Sequence, residues 1–410
     1  MKNRPIYMKT LMDFKDKKII KIVTGIRRSG KSTLLELFAQ KLIESGVSKK
    51  NIIKMNFESI MYKDIKDYIA LYNNISNKIL PTGKTYIILD EVQMVSQWEK
   101  AINSFQVDFD VDIYITGSNA YLLSSELFTL LSGRYVEIKM LPLSFKEFLD
   151  FHEFEATSSL DERFKMYLQY GGMPAILEYN FNQQRINDML EGVYSTVILK
   201  DVLDRHKVGD QAMLKKIVAF LADNIGNIVS PNSIGNLLAY EGDIDKGKGR
   251  KSPASRTVES YIDMLQKSFI FYGASRYDIK GKQHLKTLGK QYIVDMGIRN
   301  MLLGYRDADR GHILENIIYF ELIRRDYRVF IGKIGEKEID FIAEKPEEKI
   351  YVQVTETMLG EETRKRELAP LFDIQDNYEK VILSMDKDFI TSYEGIKVKN
   401  IIDFLLEDYD

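Results

Sequence analysis

The feature that most constrains this chain is a short loop written between a strand and a helix. Residues 25–32 read GIRRSGKS and match the pattern G-x-x-x-x-G-K-[ST]. The apolar stretch IIKIVT (residues 19–24) leads into it, and SGKSTLLELFAQKLIES carries on from it with helical spacing. A loop of this kind is shaped for phosphate. Gly25 and Gly30 let the backbone turn tightly and approach oxygen atoms without a Cβ clash. The N–H groups of Ile26, Arg27, Arg28 and Ser29, together with the helix N-terminus, are expected to face the phosphates. Lys31 would reach the β- and γ-phosphates, Ser32 would ligate Mg²⁺ through its hydroxyl, and Thr33 would begin the helix beside the α-phosphate. The cofactors this pattern expects are ATP and Mg²⁺.

The rest of the first third repeats the alternation of strand and helix. NIIKMNF (51–57), TYIILD (85–90), VDIYIT (111–116) and YVEIKM (135–140) read as short strands, most of them apolar on both faces, as buried parallel strands are. A three-layer α/β domain with a parallel sheet follows. TYIILD ends on Asp90 and Glu91, at the strand end where parallel sheets bind ligands. Asp90 is expected to hold Mg²⁺ through water, and Glu91 to orient the attacking water. The next strand ends in ITGSNA, where Thr116 and Ser118 either sense the γ-phosphate or satisfy a loop. In LSGRYVEIKM, Arg134 either reaches a phosphate in a neighbouring subunit or pairs with an acid on the surface. In the first role such a charge contributes about 10³–10⁵ in rate.

Composition limits the remaining possibilities. The chain has 410 residues, enough for two to four domains, and 45% hydrophobic with 29% charged side chains, the balance of a folded globular protein. A net charge of -2 gives no global attraction to nucleic acid, so any basic surface is local. With no cysteine, there are no disulfides and no thiolate zinc sites, and His152, His206, His284 and His312 are too scattered for metal-ligand spacing. The polar start MKNRPIYMKT and the lack of a long apolar run predict a cytoplasmic protein without membrane contact.

GIRRSGKST, ILDEVQ, Trp98, ITGSNA, LSGRY and PLSFKEF, in that order, resemble an archaeal and bacterial group of AAA-type P-loop ATPases, and the tail resembles the uncharacterised C-terminal domain that accompanies them. The resemblance implies that the Thr116 strand lies between the P-loop strand and the Asp90 strand. It also implies a helical lid after PLSFKEF, near Gly171-Gly172-Met173-Pro174, and makes Arg134 the preferred arginine finger of a homo-oligomer.

Downstream, LKKIVAFLADNIG, SPNSIGNLLAYEG and ASRTVESYIDMLQKSFIFYGASRYD read as three helices running into a β-hairpin and resemble a winged helix-turn-helix. Val258, Tyr261, Ile262 and Leu265 give the third helix its apolar face, and Ser230 and Ser252, each before a proline, are helix starts. Lys246, Lys248, Arg250, Lys251 and Arg256 form a basic cluster that either contacts DNA phosphates or is a solvated loop on a protein-binding module. In the tail, Glu315 on a helix, Asp340 in EIDFIAE and the strand YVQVT resemble a restriction-endonuclease core. That core needs a further acid and a lysine where this chain has Gln353 and Thr355, so it is expected to be catalytically degenerate. Glu356 falls on the opposite face of a regular strand and is a poor replacement.

The expected fold is therefore α/β: a P-loop NTPase core of the AAA type (1–141), a helical lid (142–206), a winged helix (207–285) and a nuclease-like α/β domain (286–410). The expected function is an ATP-binding, Mg²⁺-dependent ATPase acting as a switch that engages DNA or a protein partner. Two rivals stand beside it. An ATP-dependent nuclease is opposed by Gln353 and Thr355, and a non-hydrolysing nucleotide-binding scaffold is opposed by Glu91.

Overall fold

The computed structural model describes residues 2–118, 131, 133–203, 210–236, 238, 255–387 and 390–408, with backbone alone at 199–201 and 286–288. The chain divides into two compact units, residues 1–141 with 267–269, and 142–266 with 270–410.

The first unit begins with helix α1 (Pro5–Asp13), followed by β1 (Ile20–Thr24), α2 (Lys31–Glu44), β2 (Ile52–Asn56) and α3 (Tyr68–Ser76). Then come β3 (Thr85–Asp90), α4 (Trp98–Asp108), β4 (Val111–Gly117) and β5 (Tyr135–Lys139). The five strands expected from the sequence are all present, paired in parallel in the order β2-β3-β4-β1-β5. The Thr116 strand thus stands between the P-loop strand and the Asp90 strand, as the resemblance implied. The two-residue period of a strand divides the core. Ile20, Ile22, Ile87, Leu89, Ile113 and Ile115 pack on one face with Leu71, Ile75, Trp98, Ile102 and Phe105. Val23, Tyr86, Ile88, Tyr114 and Ile138 pack on the other with Tyr7, Leu11, Leu34, Leu35 and Phe38. Each such side chain, fully buried, stabilises the fold by about 1.5–3 kcal/mol. Lys21 is the exception inside β1. It is buried against Asp112, whose carboxylate also accepts the Tyr114 hydroxyl at 2.8 Å and the Asp16 N–H at 2.8 Å.

The second unit opens with three helices, α5 (Phe145–Phe151), α6 (Leu160–Tyr170) and α7 (Gln183–Thr196). The first two start with capping boxes, Ser144 with Glu147 and Ser159 with Glu162. The Gly171-Gly172 break ends α6, and the reason lies far along the chain. The Asp295 carboxylate accepts the Gly172 N–H at 2.7 Å and the Ile298 N–H at 3.1 Å, and a Cβ on Gly171 would stand 2.5 Å from its Oδ1.

Helix α8 (Gln211–Asp223), strand β6 (Ile228–Val229), a helical turn at 231–236, helix α9 (Ser255–Lys267) and strands β7 (Phe271–Asp278) and β8 (Gln283–Ile293) follow. This is the helix–strand–helix–helix–strand–strand order of a winged helix-turn-helix, with β6 antiparallel to β8 and β8 antiparallel to β7. Helix α9 buries Val258, Tyr261 and Leu265, three of the four residues read as its apolar face. The Ser230 hydroxyl accepts the Ser233 N–H at 3.0 Å, as a helix start should. Ser252 lies outside the described residues.

Helices α10 (Met296–Leu303) and α11 (Arg310–Arg324) lead to β9 (Arg328–Ile334), β10 (Lys337–Lys345) and β11 (Glu348–Val354). Then come α12 (Glu361–Phe372), β12 (Glu379–Ser384), β13 (Ser392–Tyr393), β14 (Ile396–Asn400) and α13 (Ile401–Leu406). The wing hairpin does not stand apart from this region. β7 pairs in parallel with β9, giving one mixed nine-stranded sheet in the order β13-β14-β12-β11-β10-β9-β7-β8-β6.

Candidate nucleotide site

All candidate phosphate-binding residues lie at one edge of the first sheet, where the parallel strands end. β1 runs into the loop through Thr24, and the loop closes as the N-terminus of α2 at Lys31. Gly25 has φ +144°, and a Cβ there would stand 2.1 Å from the Met140 carbonyl oxygen, so no other residue fits without moving β5's end. Gly30 caps α2 with φ +101°, and Arg28 adopts φ +62°. The buried Lys31 ammonium donates to the carbonyls of Gly25 at 2.9 Å and Ile26 at 3.0 Å. It is held inside the loop that it would serve.

The β3 and β4 ends form the second half. Asp90 and Glu91 are buried, and Thr116 joins them. Its hydroxyl donates to the Asp90 carboxylate and accepts the Glu91 backbone N–H at 3.0 Å. The Ser118 hydroxyl donates to Glu91 Oε2 at 3.1 Å, and Gln93 Nε2 donates to the same oxygen. Glu91 itself has φ +54°, left-handed for a residue with a side chain, a conformation that costs about 1–2 kcal/mol and recurs where function demands it. Thr24 pairs in register with Gly117, so these hydroxyls lie between the loop and the two acids.

The sequence reading missed three contributors. Asn56, at the end of β2, donates to Asp90 Oδ2 at 2.8 Å, and its place at the same sheet edge was the available signal. Arg4 donates to the carbonyls of Leu141 at 2.6 Å and Ser29 at 3.4 Å, and the Tyr7 hydroxyl accepts the Leu141 N–H at 3.1 Å. They brace the loop from α1, a segment whose sequence carries no motif.

Arg134 is not brought to this edge. It is exposed and immediately precedes β5, whose first residue Tyr135 is in register with Ile20. It therefore sits at the opposite edge of the sheet, about 16 Å of strand away from the loop of its own chain. Of the basic cluster, Arg256 is exposed at the start of α9, while Lys246, Lys248, Arg250 and Lys251 lie outside the described residues. In the tail, Gln353 accepts the Asp340 N–H at 3.3 Å and donates to Glu367 at 2.9 Å. The Thr355 hydroxyl donates to the Thr357 carbonyl at 3.3 Å, and Glu356 turns outward to pair with Arg310 at 3.4 Å. Among the described residues, no helix is long and apolar enough to cross a membrane.

A five-stranded parallel sheet with the phosphate loop after β1, acids after β3 and hydroxyls after the intervening β4 defines a P-loop nucleoside triphosphatase of the AAA type. The comparisons agree. Residues 17–149 match the family model described as AAA domain, and residues 161–309 match one described as Domain of unknown function (DUF8612). An uncharacterized protein of Haemophilus influenzae is 41% identical over 410 residues, 99% of each chain. Another, of Methanocaldococcus jannaschii, is 27% identical over 390 residues, 90% of this chain and 80% of its own. The Walker-type ATPase of Pyrococcus abyssi shares the fold with a TM-score of 0.50 at 16% identity, covering 72% of this chain and 94% of that one. The chain belongs to the archaeal and bacterial family of AAA-type P-loop ATPases, ATP-binding proteins in which the AAA domain is followed by a domain of unknown function.

Proposed function

We propose that this protein is a Mg²⁺-dependent ATPase that works as a nucleotide-driven switch engaging a macromolecular partner. The observation that carries the reading is the Thr116 hydroxyl bridge between Asp90 and Glu91. It links an acid suited to the cation and an acid suited to water with the strand tip beside the phosphate loop. Ser32 and Asp90 offer the hard oxygen donors that Mg²⁺ takes, and Mg²⁺ bound there would neutralise charge developing on the β- and γ-phosphates. Lys31 turns from the Gly25 and Ile26 carbonyls to the phosphates, while the N–H groups of residues 26–33 cradle them. Glu91 accepts a hydrogen bond from the attacking water and aligns it with phosphorus. Ser118 and Gln93 hold the carboxylate in position through the same oxygen, Oε2.

Arg134 acts on the site of a second copy, in keeping with its place at the sheet edge away from its own loop. The winged helix carries the partner. DNA would be gripped through Arg256 and the basic stretch before it. A protein partner is favoured by a separate observation, because the exposed face of α9 carries Glu259 and Asp263 beside Arg256, acids that repel a phosphate backbone.

Phosphate release measured with and without Mg²⁺, for the unmutated chain and Glu91→Gln, tests the proposal. Mg²⁺-dependent turnover that Glu91→Gln slows at least tenfold, with nucleotide still bound, is expected. Equal rates for the two proteins would remove Glu91 from the mechanism, and no turnover under any condition would leave a nucleotide-binding scaffold. Repeating the assay with single-stranded and duplex DNA distinguishes a DNA-responsive switch from one that answers to protein.

A further inference from the structure

Glu315 and Asp340, the two acids that resemble those of a metal-dependent nuclease, do come together, and the structure shows what lies between them. Lys290 of β8 places its Nζ 2.8 Å from Glu315 Oε1, 2.7 Å from Glu338 Oε1 and 3.8 Å from Asp340 Oδ1. The Tyr292 hydroxyl donates to the same Glu315 oxygen at 2.7 Å, and the Val354 N–H donates to Asp340 Oδ2 at 2.8 Å. The Lys290 side chain is 4% exposed, Glu315 9% and Asp340 13%, with Glu338 outermost at 31%, so the ammonium and the two nuclease-like acids are largely withdrawn from solvent.

A divalent cation would need several of these oxygens to converge at about 2.0–2.6 Å. The place from which Glu315 and Glu338 could both be reached is taken by an ammonium group, and a second positive charge within a few ångströms of it is repelled strongly in a buried, low-dielectric setting. Among the described residues, no group of three or more His, Cys, Asp or Glu side chains is set to hold a metal ion. The residues present therefore do not fit the metal that the resemblance suggests.

We infer that the Lys290 ammonium is the resident cation of this centre, and that the centre is a closed ionic joint tying the wing strand β8 to α11 and β10 rather than a divalent-metal phosphodiesterase. The lysine that a nuclease strand would carry at Thr355 is absent, and the positive charge arrives instead from the winged-helix hairpin. This makes the hairpin's attachment, already visible as β7 pairing with β9, ionic as well as hydrogen-bonded.

Mn²⁺ titration of the full chain, followed by the electron paramagnetic resonance of the free ion, tests the inference. The unmutated protein, Lys290→Arg and Asp340→Asn should bind equal amounts of Mn²⁺, since any ion they hold is elsewhere. Lys290→Met, which keeps bulk but removes charge, should bind about one further Mn²⁺ per chain, lost again when Asp340→Asn is added. Loss of Mn²⁺ on introducing Asp340→Asn alone, or Asp340-dependent plasmid nicking by the unmutated protein, would overturn the inference. A folded Lys290→Met that gains no Mn²⁺ would do so as well. Should Lys290→Met fail to fold, the comparison of the unmutated protein with Lys290→Arg and Asp340→Asn decides alone.

Discussion

At the scale of single residues, the nucleotide site depends on the hydroxyl of Thr116, which the sequence offered either as a phosphate sensor or as a loop contact. Thr116 both donates to Asp90 and accepts from the Glu91 N–H, so Thr116→Val, which preserves shape, removes two interactions at once. The Glu91 N–H is then left buried without a partner at a cost of about 1–3 kcal/mol, and its left-handed backbone loses the restraint that holds it. Turnover should fall by at least tenfold while nucleotide affinity changes little, a split that single-turnover kinetics with labelled ATP would display. Lys31→Ala should show the reverse order of loss. Its ammonium is the cation held within the loop, and nucleotide binding itself should disappear in a fluorescent-nucleotide titration.

Elements meet at two points where a change can be read without measuring ATP turnover alone. Asp295 caps α10 and receives the Gly172 N–H from the turn after α6. Burial pushes its carboxyl up to about 6 from the ordinary 3.8, although backbone N–H groups of Gly172, Ile298, Gly297 and Met173 pull the other way. The folded chain thus holds this proton more tightly than the unfolded chain. The stability linked to it is fully present below about pH 3.8 and is lost as pH rises through about 6. The whole effect amounts to about 3 kcal/mol. Asparagine cannot titrate, so the Tm of the unmutated protein relative to Asp295→Asn should decline between about pH 4 and about pH 6, and parallel melting curves across that range would refute the linkage. At the other meeting point, Arg134 leads into β5 away from its own loop. Arg134→Ala should lower turnover without weakening nucleotide binding, and the specific activity of the unmutated protein should rise with its concentration. Activity independent of concentration from a strict monomer would exclude action across a subunit boundary.

For the whole molecule, the question is how a slightly acidic chain could meet DNA. With a net charge of -2, any attraction is local, and the candidate for it is the cluster Lys246, Lys248, Arg250, Lys251 and Arg256. Each Lys or Arg that neutralises a phosphate adds about 0.9 to the log–log salt slope on duplex DNA. Replacing Lys248, Arg250 and Lys251 by alanine should flatten that slope by between about 1 and 3 units if duplex DNA is the partner. ATP binding should stay as it was, because these residues lie far along the chain from the phosphate loop, and coincident salt titrations would point to a protein partner.

What the sequence by itself determined is local chemistry. The spacing of GIRRSGKS, the apolar run ending in Asp90-Glu91 and the hydroxyls of ITGSNA act within a few residues of backbone, and all of them sit at one sheet edge in the fold. The three central strands were legible because burial on both faces leaves continuous apolar runs, while β2 and β5, at the sheet edges, are only partly buried. What tertiary structure decided is every pairing between distant segments. Asn56 reaches Asp90, Arg4 braces the loop, and Asp295 leaves no room for a side chain at Gly171, yet none of these partners is marked by periodicity or motif. The sharpest case is the tail. Read along the chain, Thr355 leaves the nuclease-like strand without its lysine. In three dimensions a lysine 65 positions earlier, Lys290, enters among the same acids from β8. A strand's neighbours are set by hydrogen-bonded edges and by core packing summed over the whole sheet, and a linear pattern has no access to either.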